Sequence, residues 1–236
     1  TEIYTRLVVG SVRCVKETGA TCHPDGRVDG LNWDLLNDGM GNPKNTRTMF
    51  LSHRTSPVMT LGVRASAEVA VTAGFVHIQF LEPSGELAEC VNAYLKNMKE
   101  VPSPFLVAHT PSKQQTGGEG CAQCHAPGVE RGALSESARR GREVFKTAGC
   151  VRCHPHPYFT NKELVATGTA TGLDEGKSVL VPSLVEVWRT APYLHDGRAK
   201  TIREAITTCN PGDLRGKTSS LNNRELEDLI NYVQSL

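Results

Sequence analysis

Apolar residues at Leu87, Val91, Tyr94, Leu95 and Met98 recur at helical spacing, which sets them on one face of an α-helix that must end before Pro102. The C-terminal stretch repeats the pattern. Asn222 followed by Glu225 predicts a capping box, and Leu226, Leu229, Ile230 and Val233 continue at helical spacing. Ser135 predicts the N-cap of a third helix running toward Lys146, with Gly141 and Phe145 on one face. Pro102-Ser103-Pro104 and the stretch from Pro111 to Gly120, with Gly117, Gly118 and Gly120, read as a linker on composition, and a domain boundary belongs there. The remainder reads as helix and long loop with few strands.

Composition changes the picture in one respect. With 39% hydrophobic and 6% aromatic residues, 22 Gly and 13 Pro, the apolar core is thin for 236 residues, so something other than side chains is expected to fill it. The length suits one large or two small domains and argues against a repeat array. Basic and acidic residues balance at 26 and 25, which speaks against a broad nucleic-acid or anionic-membrane surface. Apolar runs such as Phe105 to Ala108 are far short of the about 20 residues of a membrane span. The chain opens at Thr1 without a leader pattern, as expected of a processed or partial polypeptide.

The cysteines carry the chemistry. Cys121-Ala122-Gln123-Cys124-His125 and Cys150-Val151-Arg152-Cys153-His154 both read Cys-x-x-Cys-His. That is the c-type haem attachment pattern, in which two thiols form thioethers to the porphyrin and the adjacent His is the proximal iron ligand. A four-thiolate zinc site is the competing reading, but zinc does not require a His after each second Cys. A third candidate runs from Cys14 to Cys22-His23 with a wider loop, which costs little closure entropy. Its alternatives are a Cys14–Cys22 disulfide or a haem held by Cys22 alone. A porphyrin in each site would supply the missing apolar core.

Directly after Cys22 the chain reads His23-Pro24-Asp25-Gly26-Arg27-Val28-Asp29-Gly30-Leu31-Asn32-Trp33, then Gly41-Asn42-Pro43-Lys44-Asn45-Thr46 and Gly62-Val63-Arg64-Ala65. Gly141-Arg142-Glu143-Val144-Phe145, Val181-Pro182-Ser183-Leu184 and Thr190-Ala191-Pro192-Tyr193-Leu194-His195-Asp196-Gly197 come later. In these segments the sequence resembles bacterial dihaem cytochrome c peroxidases and their MauG-like relatives over nearly its whole length. The resemblance implies a mainly α fold of two cytochrome c-like haem domains with long loops. They would span residues 1–107 and 132–236, with a short haem-bearing insert over 108–131. It also implies that Gly141 meets Tyr232 or Val233 where the first and last helices of the second domain cross.

Two departures stand out: the family normally has two haem motifs, and the Met that usually ligates the second-domain iron is absent, with Cys209 about where it is expected. The sixth ligand separates a carrier from an enzyme, because only an open iron binds peroxide. After the proximal His23, His125 and His154, the remaining candidates are His53, His77, His109, His156 and His195. His77 lies in the stretch that the resemblance makes the distal wall of the first haem, where Glu82 falls near the family's catalytic acid. His53 competes with His77, and Cys209 competes with His195 over the iron at His154. Cys90 and Cys209 could pair or remain free thiols.

These residues predict three haem c groups in a multihaem c-type cytochrome that transfers electrons outside the cytoplasm, in the periplasm or extracellularly. The competing class is a peroxidase or MauG-like oxidase with an open first haem. A third class is a haem-bearing subunit of a larger electron-transfer assembly. Expected partners are redox proteins or other haem subunits, not nucleic acid. Calcium is a further candidate ion with no residues assigned to it.

Overall fold

A computed structural model describes residues 19–35, 40–107 and 132–236. Helices dominate among them. α1 (Ala67–Ile78), α2 (Gly85–Asn97), α3 (Glu136–Thr147), α4 (Ile202–Ile206) and α5 (Asn223–Gln234) are joined by loops that carry short 3₁₀ turns. Two antiparallel strand pairs complete the set, β1 (Asn32–Trp33) with β2 (Lys44–Asn45) and β3 (Leu164–Val165) with β4 (Val179–Leu180). No described helix is long and apolar enough to cross a membrane.

Helix starts follow the capping rule throughout. The side chains of Ser66, Ser84, Ser135, Thr201 and Asn222 each accept an N–H that the first turn would otherwise leave unpaired. At Asn222 the reciprocal bond from its own N–H to Glu225 completes the box that the sequence predicts.

Two apolar clusters form. Val71 and Phe75 of α1 pack with Val91 and Leu95 of α2, with Tyr94 and Met98 at the edge. A larger cluster joins Ala138 and Phe145 of α3 to Leu229, Ile230, Tyr232 and Val233 of α5. The α3–α5 crossing turns on Gly141. A Cβ there would run into the Asp228 carbonyl and stand 2.9 Å from the Tyr232 Cβ, so only glycine permits the approach.

The two halves repeat one another at a constant offset along the chain. Leu51 (φ 62°) and Glu186 (φ 60°) are both left-handed and each opens a 3₁₀ turn, Ser52–Arg54 and Val187–Arg189. Left-handed Met59 and Leu194 follow, inside loops closed by the bridges Val58–Arg64 and Tyr193–Ala199. The caps Ser66 and Thr201 then start α1 and α4. The halves also grip one another reciprocally: Asn45 N–H donates to the His195 carbonyl at 2.7 Å, and its counterpart Leu180 N–H donates to the Thr60 carbonyl at 2.8 Å.

Three buried carboxylates tie the assembly. Glu186 makes a forked pair with Arg27 at 2.6 and 2.8 Å and also accepts the Val101 N–H. Asp174 receives Lys44 at 2.6 Å and Asn42 at 3.1 Å. Asp228 takes Arg140 with two bonds of 2.7 Å. Val107 and Ala133 exchange both backbone hydrogen bonds, at 2.9 and 3.1 Å.

Candidate functional site

Gly149, left-handed at φ 81°, turns the end of α3 into the 3₁₀ turn Cys150–Arg152. His154 N–H then reaches back to the Cys150 carbonyl at 2.9 Å, so thiols and imidazole share one compact turn. The His154 Nδ1 lies 2.8 Å from the Phe159 carbonyl. A carbonyl only accepts, so Nδ1 carries the proton and the lone pair sits on Nε2, the nitrogen that would face a metal. Burial pushes the imidazole below its ordinary value, against the opposing pull of the Phe159 and Pro182 carbonyls. Burial likewise raises the Cys150 thiol to about 11. Gly216 lies against Cys150, where a Cβ would come 3.1 Å from the sulfur, and its φ of 113° also favours glycine.

The first half builds the same device. His23 N–H donates to the Gly19 carbonyl at 2.9 Å, and its Nδ1 lies 3.1 Å from the Arg27 carbonyl. Burial again lowers the imidazole, while Arg27, Asp29 and Arg47 pull the other way, the two arginines through their carbonyls. Arg47 and Pro182, the second carbonyls of the two sites, are counterparts in the repeat. Cys22 is half-buried, and its thiol is raised by burial and by Asp29. Free thiols beside an imidazole whose lone pair is fixed on Nε2 are the donor set a c-type haem needs, and the residues fit that group.

The other candidates fall in different places. His195 is half-buried, its pKa lowered chiefly by burial, and its Nδ1 is buried without a partner among the described residues. Its neighbour Asp196 is taken by Arg198 at 2.6 Å. Cys209 is half-buried and Cys90 is buried on α2, and both are free thiols rather than a disulfide. His53 places Nε2 2.9 Å from Asn92 on α2 and 3.6 Å from Glu68 on α1. His77 is exposed at the end of α1, and Glu82 is exposed beyond it. Cys14, His109, Cys121, Cys124 and His125 lie outside the described residues, so the second haem motif and its zinc alternative do too. Among the described residues, no group of three or more His, Cys, Asp or Glu is arranged to hold a metal ion.

Sequence reasoning missed the Arg27–Glu186 pair, whose partners lie 159 residues apart and leave no local signal.

No protein-family model matches the chain. Hydrazine synthase subunit gamma of Kuenenia stuttgartiensis is 24% identical over 283 residues, covering 96% of this chain and 72% of that protein. MauG of Methylophilus methylotrophus is 32% identical over 127 residues, 44% of this chain and 38% of its own length. Cytochrome c551 peroxidase of Nitrosomonas europaea is 27% identical over 123 residues, 45% of this chain and 36% of that one. A solved hydrazine synthase structure from Kuenenia stuttgartiensis superposes with a TM-score of 0.74 at 23% identity, over 92% of this chain and 80% of that one, which shows a shared fold. These relatives and the mainly helical architecture support the resemblance to bacterial dihaem cytochrome c peroxidases and MauG-like proteins, a family whose members are c-type haem proteins.

Proposed function

We propose that this chain is a multihaem c-type cytochrome that passes electrons outside the cytoplasm. The observation that carries the reading is the matched pair of imidazoles, His23 and His154, each with Nδ1 fixed by a carbonyl, in two halves that interlock. Haem bound there supplies reversible one-electron exchange. The chain's own part is to hold and tune it. Cys150 and Cys153 anchor one porphyrin, Cys14 and Cys22 a second, and Cys121 and Cys124 a third, with His154, His23 and His125 as proximal ligands. The carbonyls of Phe159 and Arg27 keep each ring in one tautomer and make Nε2 a stronger donor. Partial burial shields the thiols and imidazoles from water. Interlocked halves keep the redox centres at a fixed separation, as stepwise electron passage requires. The domains follow as residues 1–107 and 132–236 around an insert at 108–131.

His195 is the ligand we assign to the iron at His154, in place of the family's usual Met. A second reading, peroxide chemistry at an open first haem with Glu82 as acid–base, draws support from the peroxidase and MauG relatives. The name of the gamma-subunit relative favours membership of a larger complex, with other haem subunits or redox proteins as partners.

Intact mass of the denatured holoprotein is expected to show three covalent haems, and bound zinc without haem would overturn the reading. Peroxide consumption with a reduced donor is expected to be far slower than the about 10 per second of ordinary enzymes. Turnover at that rate, lost in Glu82→Gln, would establish the second reading.

A further inference from the structure

The turn that carries Cys150 and Cys153 reaches the surface: Val151 between them is 42% exposed, and Arg152 is exposed beside it. Backbone hydrogen bonds bring three further cations to its rim. Gly149 N–H donates to the Lys146 carbonyl at 3.0 Å, and Lys217 N–H donates to the Ala148 carbonyl at 2.9 Å. On the other flank Asn161 N–H, one residue before Lys162, donates to the Cys153 carbonyl at 2.8 Å. Lys146, Lys162 and Lys217 are all exposed, and Arg142 lies one helical turn behind Lys146 on α3. The acids among them are Glu143, which Lys146 meets at 2.9 Å and Arg142 at 3.5 Å, and Glu163, which accepts the Asn161 Nδ2 at 2.8 Å. Arg152, Lys162 and Lys217 pair with no acid among the described residues.

The first attachment turn carries the opposite sign among the described residues. Asp25 is exposed two residues after His23, and Asp29 acts on the Cys22 thiol and raises it. Arg27, the cation between those two acids, is buried against Glu186. Exposed cations around an apolar residue speed encounter with a surface of opposite charge, and the apolar centre supplies the contact once it arrives. We propose that the surface around Cys150–Cys153 docks an acidic redox protein, which exchanges electrons with the haem held on that turn. This rests on the reading of Cys150, Cys153 and His154 as a haem site. The acids at the first turn repel the same partner, so charge orients it toward the second half. When the partner is the oxidant, one electron leaves ferrous haem for its acceptor and ferric haem remains, with no bond formed or broken.

The probe is an acidic blue-copper protein of the plastocyanin type in its Cu(II) form, mixed in stopped flow with the reduced holoprotein, from which the copper takes one electron to become Cu(I). At low ionic strength Lys162→Glu/Lys217→Glu should slow the oxidation about tenfold and remove most of the fall with salt that the parent shows. Lys96→Glu/Lys99→Glu makes the same charge change at exposed positions of the first half and should stay within about twofold of the parent. Equal slowing by both pairs would be an effect of net charge and not of a surface, and it overturns the proposal. So does no slowing, a parent rate that rises with salt, or a haem-bearing parent that the probe leaves reduced. If Lys162→Glu/Lys217→Glu fails to load haem, Lys217→Glu is compared with Lys99→Glu by the same criterion. Cosedimentation with phosphatidylserine–phosphatidylcholine vesicles that the reversal abolishes would assign the patch to a membrane surface and overturn the proposal likewise. Absence of haem mass on the Cys150–His154 peptide of the unsubstituted protein is a separate result that would defeat the haem reading itself.

Discussion

The His195 imidazole is half-buried, its pKa lowered chiefly by desolvation, and its Nδ1 finds no partner among the described residues. Asp196 makes no hydrogen bond to it and is engaged by Arg198 instead. Neutral imidazole closes an iron without burying net charge, whereas a Cys209 thiolate would need iron to offset its desolvation. His195→Ala is therefore expected to convert the haem at His154 from low to high spin, read by optical and paramagnetic resonance spectra, while Cys209→Ser leaves it low-spin. The reverse pattern would transfer the ligand role to Cys209. The compact turn that brings Cys150, Cys153 and His154 together was legible in sequence because the three positions are close in the chain and fixed in spacing. The surroundings of His77 were not, since its exposure on α1 depends on which face of that helix packs against α2.

At the scale of elements, the α3–α5 crossing depends on a glycine and a carboxylate. Gly141→Ala would force its Cβ into the Asp228 carbonyl, and separating the helices should cost about 2–3 kcal/mol by chemical denaturation. Asp228 is held below its ordinary 3.8 chiefly by the hydrogen bond from Arg140, with Ser137 adding to it and burial opposing. Its contribution is thus complete above the ordinary aspartate range and is lost as pH falls through the lower folded value. Asp228→Asn should cost ~1 kcal/mol at neutral pH, a modest figure because Arg140 is largely solvated, and should flatten the acid limb of the stability profile. Helix faces and caps at Ser135 and Asn222 could be read from spacing, because they depend on residues three or four apart. The strand pairs could not. Asn32 meets Asn45, and Leu164 meets Leu180, across long intervening loops, and strands of two residues leave no alternation to read.

For the whole molecule, the repeat and its reciprocal grip were invisible in sequence: Leu51 and Glu186, or Met59 and Leu194, share a left-handed backbone conformation and not chemistry. Glu186 shows what such a pairing does. Its side chain is 2% exposed and serves Arg27 and the Val101 N–H together, joining two halves far apart in sequence. Glu186→Ala would strand the Arg27 guanidinium, and a loss of about 3–5 kcal/mol in the denaturation free energy is expected. Because Arg27 also supplies the carbonyl for His23, the first haem's spectrum should broaden in that variant while the haem at His154 is less affected.

The Val107–Ala133 bridge sets the two residues that flank the stretch 108–131 side by side. In engineering terms that is a socket: whatever is threaded through residues 108–131 can be exchanged without altering the path of the rest, since the two feet are already hydrogen-bonded to each other. Replacing residues 108–131 with about three glycines, enough to close a hairpin, should therefore yield a protein lighter by one haem as well as by the excised segment. Its remaining redox steps should be unmoved and its stability within about 0.5 kcal/mol of the parent. Loss of a second haem, or a large loss of stability, would mean that the segment is a strut of the fold. If the shortened protein behaves as expected, the haem-bearing segment is a portable module, and a multihaem cytochrome can be lengthened or shortened one redox centre at a time at this position.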